Sequence, residues 1–383
     1  MLEQCMKLVM VTQDFPPVPG GIQTYAAELA LRFHQSLDDF VVVAPEVEGA
    51  GAWDASVPYR VVRVGRSSDH VPVTAIPALI ALGREGFDTA FHTQWQTVIA
   101  TKTAARLGGP ATIFLAAHGR ELLLAPVEKY PLAQRAFNRL RRWSIAQAKK
   151  LFPVSRYTAG LLETLGASPE QILTVSNGTD PERFRPMDIT DLKRTHQLEN
   201  RRIILSVGRL APRKGFDTVL QALPKVRSVL PDVLYVMVGD GPDRERLQSL
   251  IERYDVAENV FMTGKVAWDE LPAWHNVADV FVTPSRDAPP SVEGFGIVFL
   301  EANACGKPVI GARTGGIPDA IVDGTTGRLV EADNPEQLSD VIQELLIDRE
   351  AANRLGEQGR KRVLESCTWD HVHDTLSAAM RGA

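Results

Sequence analysis

The sequence predicts an α/β protein of two domains, each a parallel sheet with helices on both faces. Three observations point there. The chain has 383 residues, which on the usual prior suggests about two domains. Short runs rich in Val, Ile and Leu alternate with stretches of helical period, the order that builds parallel sheets. Those runs are continuously apolar rather than alternating, as strands covered on both faces must be. With 44% hydrophobic and 23% charged residues, the chain can form ordinary globular cores.

Taken in order, strands are predicted at 8–11, 40–44, 61–64, 112–116 and 171–175, then at 203–207, 233–238, 259–263, 280–283 and 308–312. Helices are predicted at 23–34, 216–229, 244–254 and 335–346, and from Ile297 to a stop at Gly306 with Pro308 just beyond. Residues 7–12 read as a buried strand. The residues before them lack the basic start and apolar core of a signal peptide. No apolar run approaches the length needed to cross a bilayer, so any membrane role is expected to be peripheral.

The boundary is expected at Asn177-Gly178-Thr179-Asp180-Pro181, where Gly and Pro break structure. That gives domains 1–178 and 179–367. Residues 368–383 are assigned as an amphipathic strap back onto the first domain, with a last helix of the second domain as the alternative. No internal repeat is visible.

A net charge of −5 argues against broad nucleic-acid binding. The three cysteines, Cys5, Cys305 and Cys367, fit no zinc spacing, and indicate a reduced, cytosolic chain. The histidines show no metal spacing and there is no Asp-x-Asp, so no bound metal is expected. Without a Gly-x-Ser-x-Gly turn, a serine triad has no support.

The segment Glu293-Gly-Phe-Gly-Ile-Val-Phe-Leu-Glu301 places two carboxylates with seven residues between them. Gly294 and Gly296 permit close backbone approach, and the helix that follows presents free N–H groups to an anion. Glu301 falls one turn into that helix. Upstream, Gly208-Arg209-Leu-Ala-Pro-Arg-Lys214-Gly215 sets two cations past the end of a strand, where open α/β sheets bind ligands. Carboxylates for sugar hydroxyls, with cations and a helix N-terminus for a diphosphate, form a set of parts for holding a sugar nucleotide.

In the first half, Gly20-Gly21 precedes a helix and lets amides approach a diphosphate; a crossover loop is the plain alternative. His118 ends the strand 112–116 beside Gly119 and could support charge at a reacting carbon, though a lone His is more often structural. Gly239-Asp-Gly241 and Gly315-Gly316 read as turns. Residues 128–150 carry seven Lys or Arg and one acid. Arg135, Arg139, Arg142 and Lys149 share one face, while Leu132, Ala136, Phe137, Leu140 and Trp143 tend to another. Such a helix can lie on an anionic membrane, or it can be a solvated helix packed by Phe137 and Leu140.

Together these segments resemble the retaining glycosyltransferases of family 4, across essentially the whole chain. The residues that carry the likeness are Gly20-Gly21, His118, Asn177-Gly178-Thr-Asp180, Arg209, Lys214-Gly215, Gly239-x-Gly241, Pro284-Ser285, Glu293 through Glu301, and Gly315-Gly316. Within that family the chain is similar to bacterial phosphatidylinositol mannosyltransferases, through Asp14-Phe-Pro-Pro…Gly20-Gly-Ile-Gln-Thr-Tyr25, His118-Gly-x-Glu121, 209–215 and the extra residues 286–292.

The resemblance implies the GT-B fold, two Rossmann-like domains facing each other across a cleft that closes on the donor. It implies metal-independent transfer of a hexose with retention: mannose from GDP-mannose to a membrane lipid or lipid-linked glycan, at the inner face of the plasma membrane. No cofactor is implied. Arg209 and Lys214 would bind the diphosphate, and Glu301 the ribose. Glu293 with the amides of Phe295 and Gly296 would hold the sugar, flanked by Gly294 and Ile297. Val266, after the strand 259–263, would meet the base. Gly20 and Gly21 would approach the diphosphate and His118 the sugar. Asp14, Tyr25 and Glu121 would lie on the acceptor side, with Arg135, Arg139 and Arg142 toward the membrane. The alternatives are transfer from a UDP- or ADP-sugar to a soluble acceptor, a sugar-nucleotide epimerase, and a non-catalytic nucleotide-sugar-binding subunit.

Overall fold

The computed structural model describes residues 6–126 and 128–383; Cys5 lies outside the described residues. The chain divides into two compact units, one of residues 1–177 with 369–383, the other of 178–368.

The first unit holds β1 (Lys7–Val11), β2 (Asp39–Pro45), β3 (Arg60–Val64), β4 (Thr89–His92), β5 (Thr112–Ala117) and β6 (Lys150–Pro153). They form one sheet in the order β3-β2-β1-β4-β5-β6, parallel throughout. Leu8, Val9, Met10 and Val11 are all fully buried, which is why β1 reads as an unbroken apolar run. Burying each such side chain stabilises the fold by about 1.5–3 kcal/mol. One sheet face packs on Leu79, Leu82 and Ala100. The other core of this unit gathers Trp95, Leu115, Ile145 and Leu151.

The second unit holds β7 (Arg202–Val207), β8 (Val233–Val238), β9 (Val260–Gly264), β10 (Val280–Thr283), β11 (Val309–Ala312) and β12 (Gly327–Val330). Their order is β12-β11-β10-β7-β8-β9. Counted along the chain, this is the same strand order as in the first unit, so the two halves share a fold without sharing visible sequence. In each sheet the order reverses beside its first strand, at β1/β4 and at β7/β10, and crevices at such points are where ligands bind.

The strand expected at 171–175 is not one. A tight turn at Pro169–Gln171 leads into extended chain that touches β6 through Leu173 N–H to the Leu151 carbonyl (2.9 Å). The true neighbour of β5 is β6, and β4, β6 and β12 all escaped the sequence reading. Each has only four residues, as β10 and β11 do, but Thr89, His92, Lys150, Pro153, Gly327 and Arg328 break up the apolar run that marks a strand covered on both faces.

The last helix, Trp369–Arg381, belongs to the first unit and packs on the helix Gly21–Ser36. Asp370 takes a hydrogen bond from Arg32 (2.6 Å), His373 bonds Ser36 (2.8 Å), and Trp369 is buried edge-on to Tyr25.

Candidate functional site

The second unit builds a charged cluster at the C-terminal ends of β7 and β10. After β7 the chain is held down by Leu210 N–H on the Asp240 carbonyl (3.0 Å) and turns tightly over Pro212–Lys214. Gly215 then adopts φ +74°, and a Cβ there would lie 2.2 Å from the Pro284 carbonyl oxygen. Only glycine permits this approach, and it seats Lys214 against the segment after β10. Gly215→Ala is therefore expected to cost about 3 kcal/mol of stability, read as a lower urea midpoint.

Lys214 Nζ lies 2.5 Å and Arg213 Nη1 2.8 Å from the same oxygen of Glu293, Oε2. Oε1 of Glu293 has no hydrogen-bond partner among the described residues. Burial works to raise the Glu293 pKa, but the two cations overcome it and hold the carboxyl at about 2. Arg213 is the residue the sequence reading left unassigned. Arg209, by contrast, is exposed and pairs with no carboxylate among the described residues.

Two further contacts fix Glu293. Its carbonyl accepts from Gly316 N–H (2.9 Å). Gly315 approaches so closely, at φ +51°, that a Cβ would sit 2.3 Å from that carbonyl oxygen. The extra residues 286–292 are also anchored. Arg286 N–H donates to the Arg213 carbonyl (2.8 Å). Its guanidinium holds Asp217 (2.8 and 3.1 Å), Thr218 (2.8 Å) and Asp333 (2.6 Å). Burial opposes ionisation of Asp217, but Arg286 and Arg246 lower its pKa. Arg286 thus ties the loop carrying Arg213 and Lys214 to the chain leading into Glu293.

The helix Ile297–Ala304 begins directly after Gly296. Phe295 and Gly296 are buried, and Gly294 and Ile297 are half-buried. Glu301 is buried on that helix, with His275 Nε2 3.3 Å from its Oε2. Neither ring nitrogen of His275 has a hydrogen-bond partner among the described residues. Val266 is half-buried in the loop after β9.

The first unit builds a second cluster at the ends of β1, β4 and β5. Asp14 accepts from Gln23 Nε2 (3.0 Å) and from Gln94 Nε2. Gln94 is itself held by Gln13 N–H (3.1 Å) and Thr93 Oγ1 (2.9 Å) on its Oε1. Burial raises the Asp14 pKa against the hydrogen bond from Gln94. His118 directly follows β5, its Nε2 shielded from water and without a partner among the described residues. Burial pushes its pKa down to about 4, against a hydrogen bond with the Thr93 backbone, so the ring is neutral near pH 7.

Glu121 accepts His118 N–H (2.7 Å) and Gly119 N–H (3.3 Å) on Oε1. Its Oε2 has no partner among the described residues, and burial raises its pKa. Tyr25, expected on the acceptor side with Asp14 and Glu121, has no exposed ring to offer. It is buried, edge-on to His118 at 4.7 Å and to Trp369 at 5.9 Å, so its ring supports His118 from behind. Gly20 and Gly21 are exposed at the start of the helix Gly21–Ser36.

Arg135, Arg139 and Arg142 are exposed on the helix Pro131–Ala146. Phe137 packs it onto Trp95, at 5.2 Å between ring centroids. The expectation that Leu140 helps fails, because Leu140 is exposed. The inner cation is Arg141, which donates to the Leu124 carbonyl (3.0 Å) and to Asn138 (3.0 Å). Lys149 lies beyond the helix. Among the described residues no group of three or more His, Cys, Asp or Glu could hold a metal ion, and no helix is long and apolar enough to cross a membrane.

Comparison with known proteins matches residues 188–362 to the family model described as glycosyl transferases group 1. Residues 20–178 match a glycosyl transferase 4-like domain. A GDP-mannose-dependent alpha-(1-6)-phosphatidylinositol monomannoside mannosyltransferase of Mycobacterium tuberculosis is 34% identical over 98% of both chains. A GDP-mannose-dependent monoacylated alpha-(1-6)-phosphatidylinositol monomannoside mannosyltransferase of Corynebacterium glutamicum is 29% identical over 97% of both. Anabaena Alr3699/HepE, solved in complex with UDP, superposes with a TM-score of 0.84 at 18% identity, over 99% of this chain and 100% of that one, a likeness of fold.

Proposed function

The chain belongs to the group 1 glycosyltransferases, with a glycosyltransferase 4-like first half, and on that premise we propose that it moves mannose from GDP-mannose to a phosphatidylinositol-type membrane lipid. The observation that carries the reading is the convergence of Lys214 and Arg213 on one oxygen of Glu293, beside the N-terminus of the helix that bears Glu301. The donor and acceptor follow from the mycobacterial relative, alike over nearly its whole length.

The chemistry is a transfer with retention that needs no metal. The anomeric C–O bond to the diphosphate breaks as a C–O bond to the acceptor hydroxyl forms on the same face. The acceptor proton passes to the departing phosphate oxygen, leaving GDP and a mannoside. Negative charge grows on the diphosphate; Lys214 and Arg213 with the amides at Gly296 are preorganised to meet it, and Arg209 adds a third cation. Glu293 holds sugar hydroxyls through its free oxygen, Glu301 the ribose, and Val266 lies against the base. Gly20 and Gly21 lend amides to the diphosphate. Neutral His118 donates to the sugar or accepts from it. Asp14, oriented by Gln94, and Glu121 serve the acceptor. The enzyme works as a peripheral protein at the inner face of the plasma membrane, with Arg135, Arg139 and Arg142 toward the lipid phosphates.

A thermal-shift panel of GDP, UDP and ADP with their mannose and glucose conjugates tests this. GDP and GDP-mannose at a hundred times their Kd are expected to raise Tm by on the order of 5–10 °C. Transfer of labelled mannose to phosphatidylinositol lipids should follow. Stabilisation by UDP or ADP conjugates instead would overturn the donor, and a trapped covalent sugar adduct would overturn the mechanism.

A further inference from the structure

Glu301, the carboxylate assigned to the ribose, has no hydrogen-bonded anchor of its own. It is 5% exposed on the helix Ile297–Ala304, and among the described residues no N–H or O–H group donates a hydrogen bond to either oxygen of its side chain. The nitrogen that faces it is Nε2 of His275, 3.3 Å from Oε2.

His275 stands on a different helix, Leu271–Val277. Its ring is fully buried, edge-on to Phe184 at 5.5 Å and tilted on Phe281 at 5.4 Å. Phe281 of β10 also meets Phe299 at 5.8 Å, so one ring registers both helices over the same strand. The next residue, Asn276, is fully engaged. Its Nδ2 donates to the Arg185 and Pro272 carbonyls (both 2.8 Å), and its Oδ1 accepts from Met187 N–H (3.2 Å). His275 differs, with both ring nitrogens unmatched among the described residues.

A buried imidazole left unpaired costs about 1–3 kcal/mol, which a leucine packed against the same two phenylalanines would avoid. A buried carboxylate without donors costs more. Here the two unmet groups face each other. The last torsion of a glutamate is soft, so a small turn of the carboxylate brings Oε2 into line with Nε2. A plain core histidine accounts for the packing on Phe184 and Phe281. It does not account for a nitrogen aimed at the single acid of the neighbouring helix.

We propose that His275 is the positioning residue for ribose recognition. Its Nε2–H donates to Oε2 of Glu301 and fixes the plane of the carboxylate. Oε1 and a further lone pair of Oε2 are then left to accept the 2′- and 3′-hydroxyls of the donor. A carboxylate aligned in advance loses little freedom on binding, and its aligned lone pairs reward both hydroxyls. His275 thereby sets the preference for a ribonucleotide over a deoxyribonucleotide. This role rests on the reading that Glu301 holds the ribose.

Calorimetric titration of the full chain with GDP and with 2′-deoxy-GDP tests it. The wild type is expected to bind GDP about thirtyfold more tightly, the worth of a hydrogen bond to a charged group. In His275→Leu that preference should fall to about threefold or less, chiefly through weaker binding of GDP. His275→Gln keeps an N–H donor near the place of Nε2 and should restore about tenfold. A ring that only filled space would lower Tm and weaken both nucleotides equally, leaving the ratio at its wild-type value. Nitrogen-15 NMR of the His275 ring in the wild type bound to GDP needs no variant to fold. A proton on Nε2 is expected there, and a bare Nε2 would overturn the proposal.

Discrimination that vanishes in Glu301→Ala but persists in His275→Leu would remove the role of His275 and spare the ribose reading. A wild type indifferent to the 2′-hydroxyl, or discrimination that survives Glu301→Ala, would sink the ribose reading itself.

Discussion

Replacing Lys214 with alanine is expected to slow mannose transfer by about a thousandfold. The ammonium is buried and held by Glu293, so its position is set before the donor arrives. A fixed charge in a site shielded from water stabilises a developing oxyanion more than a mobile one does, because nothing reorganises as the bond breaks. Arg213 contacts the same oxygen of Glu293, but its side chain is 27% exposed against 10% for Lys214. Arg213→Ala should therefore cost less, by about tenfold. Steady-state rates with GDP-mannose check both. Full turnover by Lys214→Ala would remove this cluster from the donor site.

Glu293→Gln is expected to act on stability as well as rate. The carboxyl is held at about 2, below its ordinary value of 4.5, by Lys214 and Arg213 acting against burial. A lowered folded-state pKa adds stability above the unfolded value, and that stability is lost as pH falls through the folded one. Wild type should thus exceed Glu293→Gln by about 2–4 kcal/mol near neutral pH. The gap should begin to close below pH 4.5 and be largely gone near pH 2. Urea unfolding of both proteins across that range measures it. A gap that stays constant with pH would mean that the carboxylate is not held as its charged form. Turnover should fall by about a hundredfold or more, since both cations lose the group that aims them.

Arg213 and Arg286 mark the limit of reading the site in one dimension. Arg213 stood inside a motif already singled out, yet nothing in its neighbours distinguished it from a solvated arginine. Arg286 meets Asp217 across 69 residues of chain, and Gln94 meets Asp14 across 80. His275 reaches Glu301 from another helix, and no spacing in the sequence pairs them. The strands legible in advance were those with an unbroken apolar run, such as β1, β8 and the four-residue β10. In β4, β6 and β12 polar residues, Gly or Pro interrupt four-residue runs, and with β4 unseen, Gln94 had no element to stand on.

By itself the sequence determined the α/β class and the glycine-bracketed segments that position Lys214 and Glu293. These depend on local chemistry: burial on both strand faces, a left-handed turn at Gly215, and free amides where a helix starts. Tertiary structure alone decided which side chains meet. It set two cations on one oxygen of Glu293, put Gln94 behind Asp14 and Tyr25 behind His118, and turned Leu140 outward where helical spacing had suggested packing. Such contacts join residues distant in the chain, and their energies come from burial and from partners that exist only once the sheets have formed.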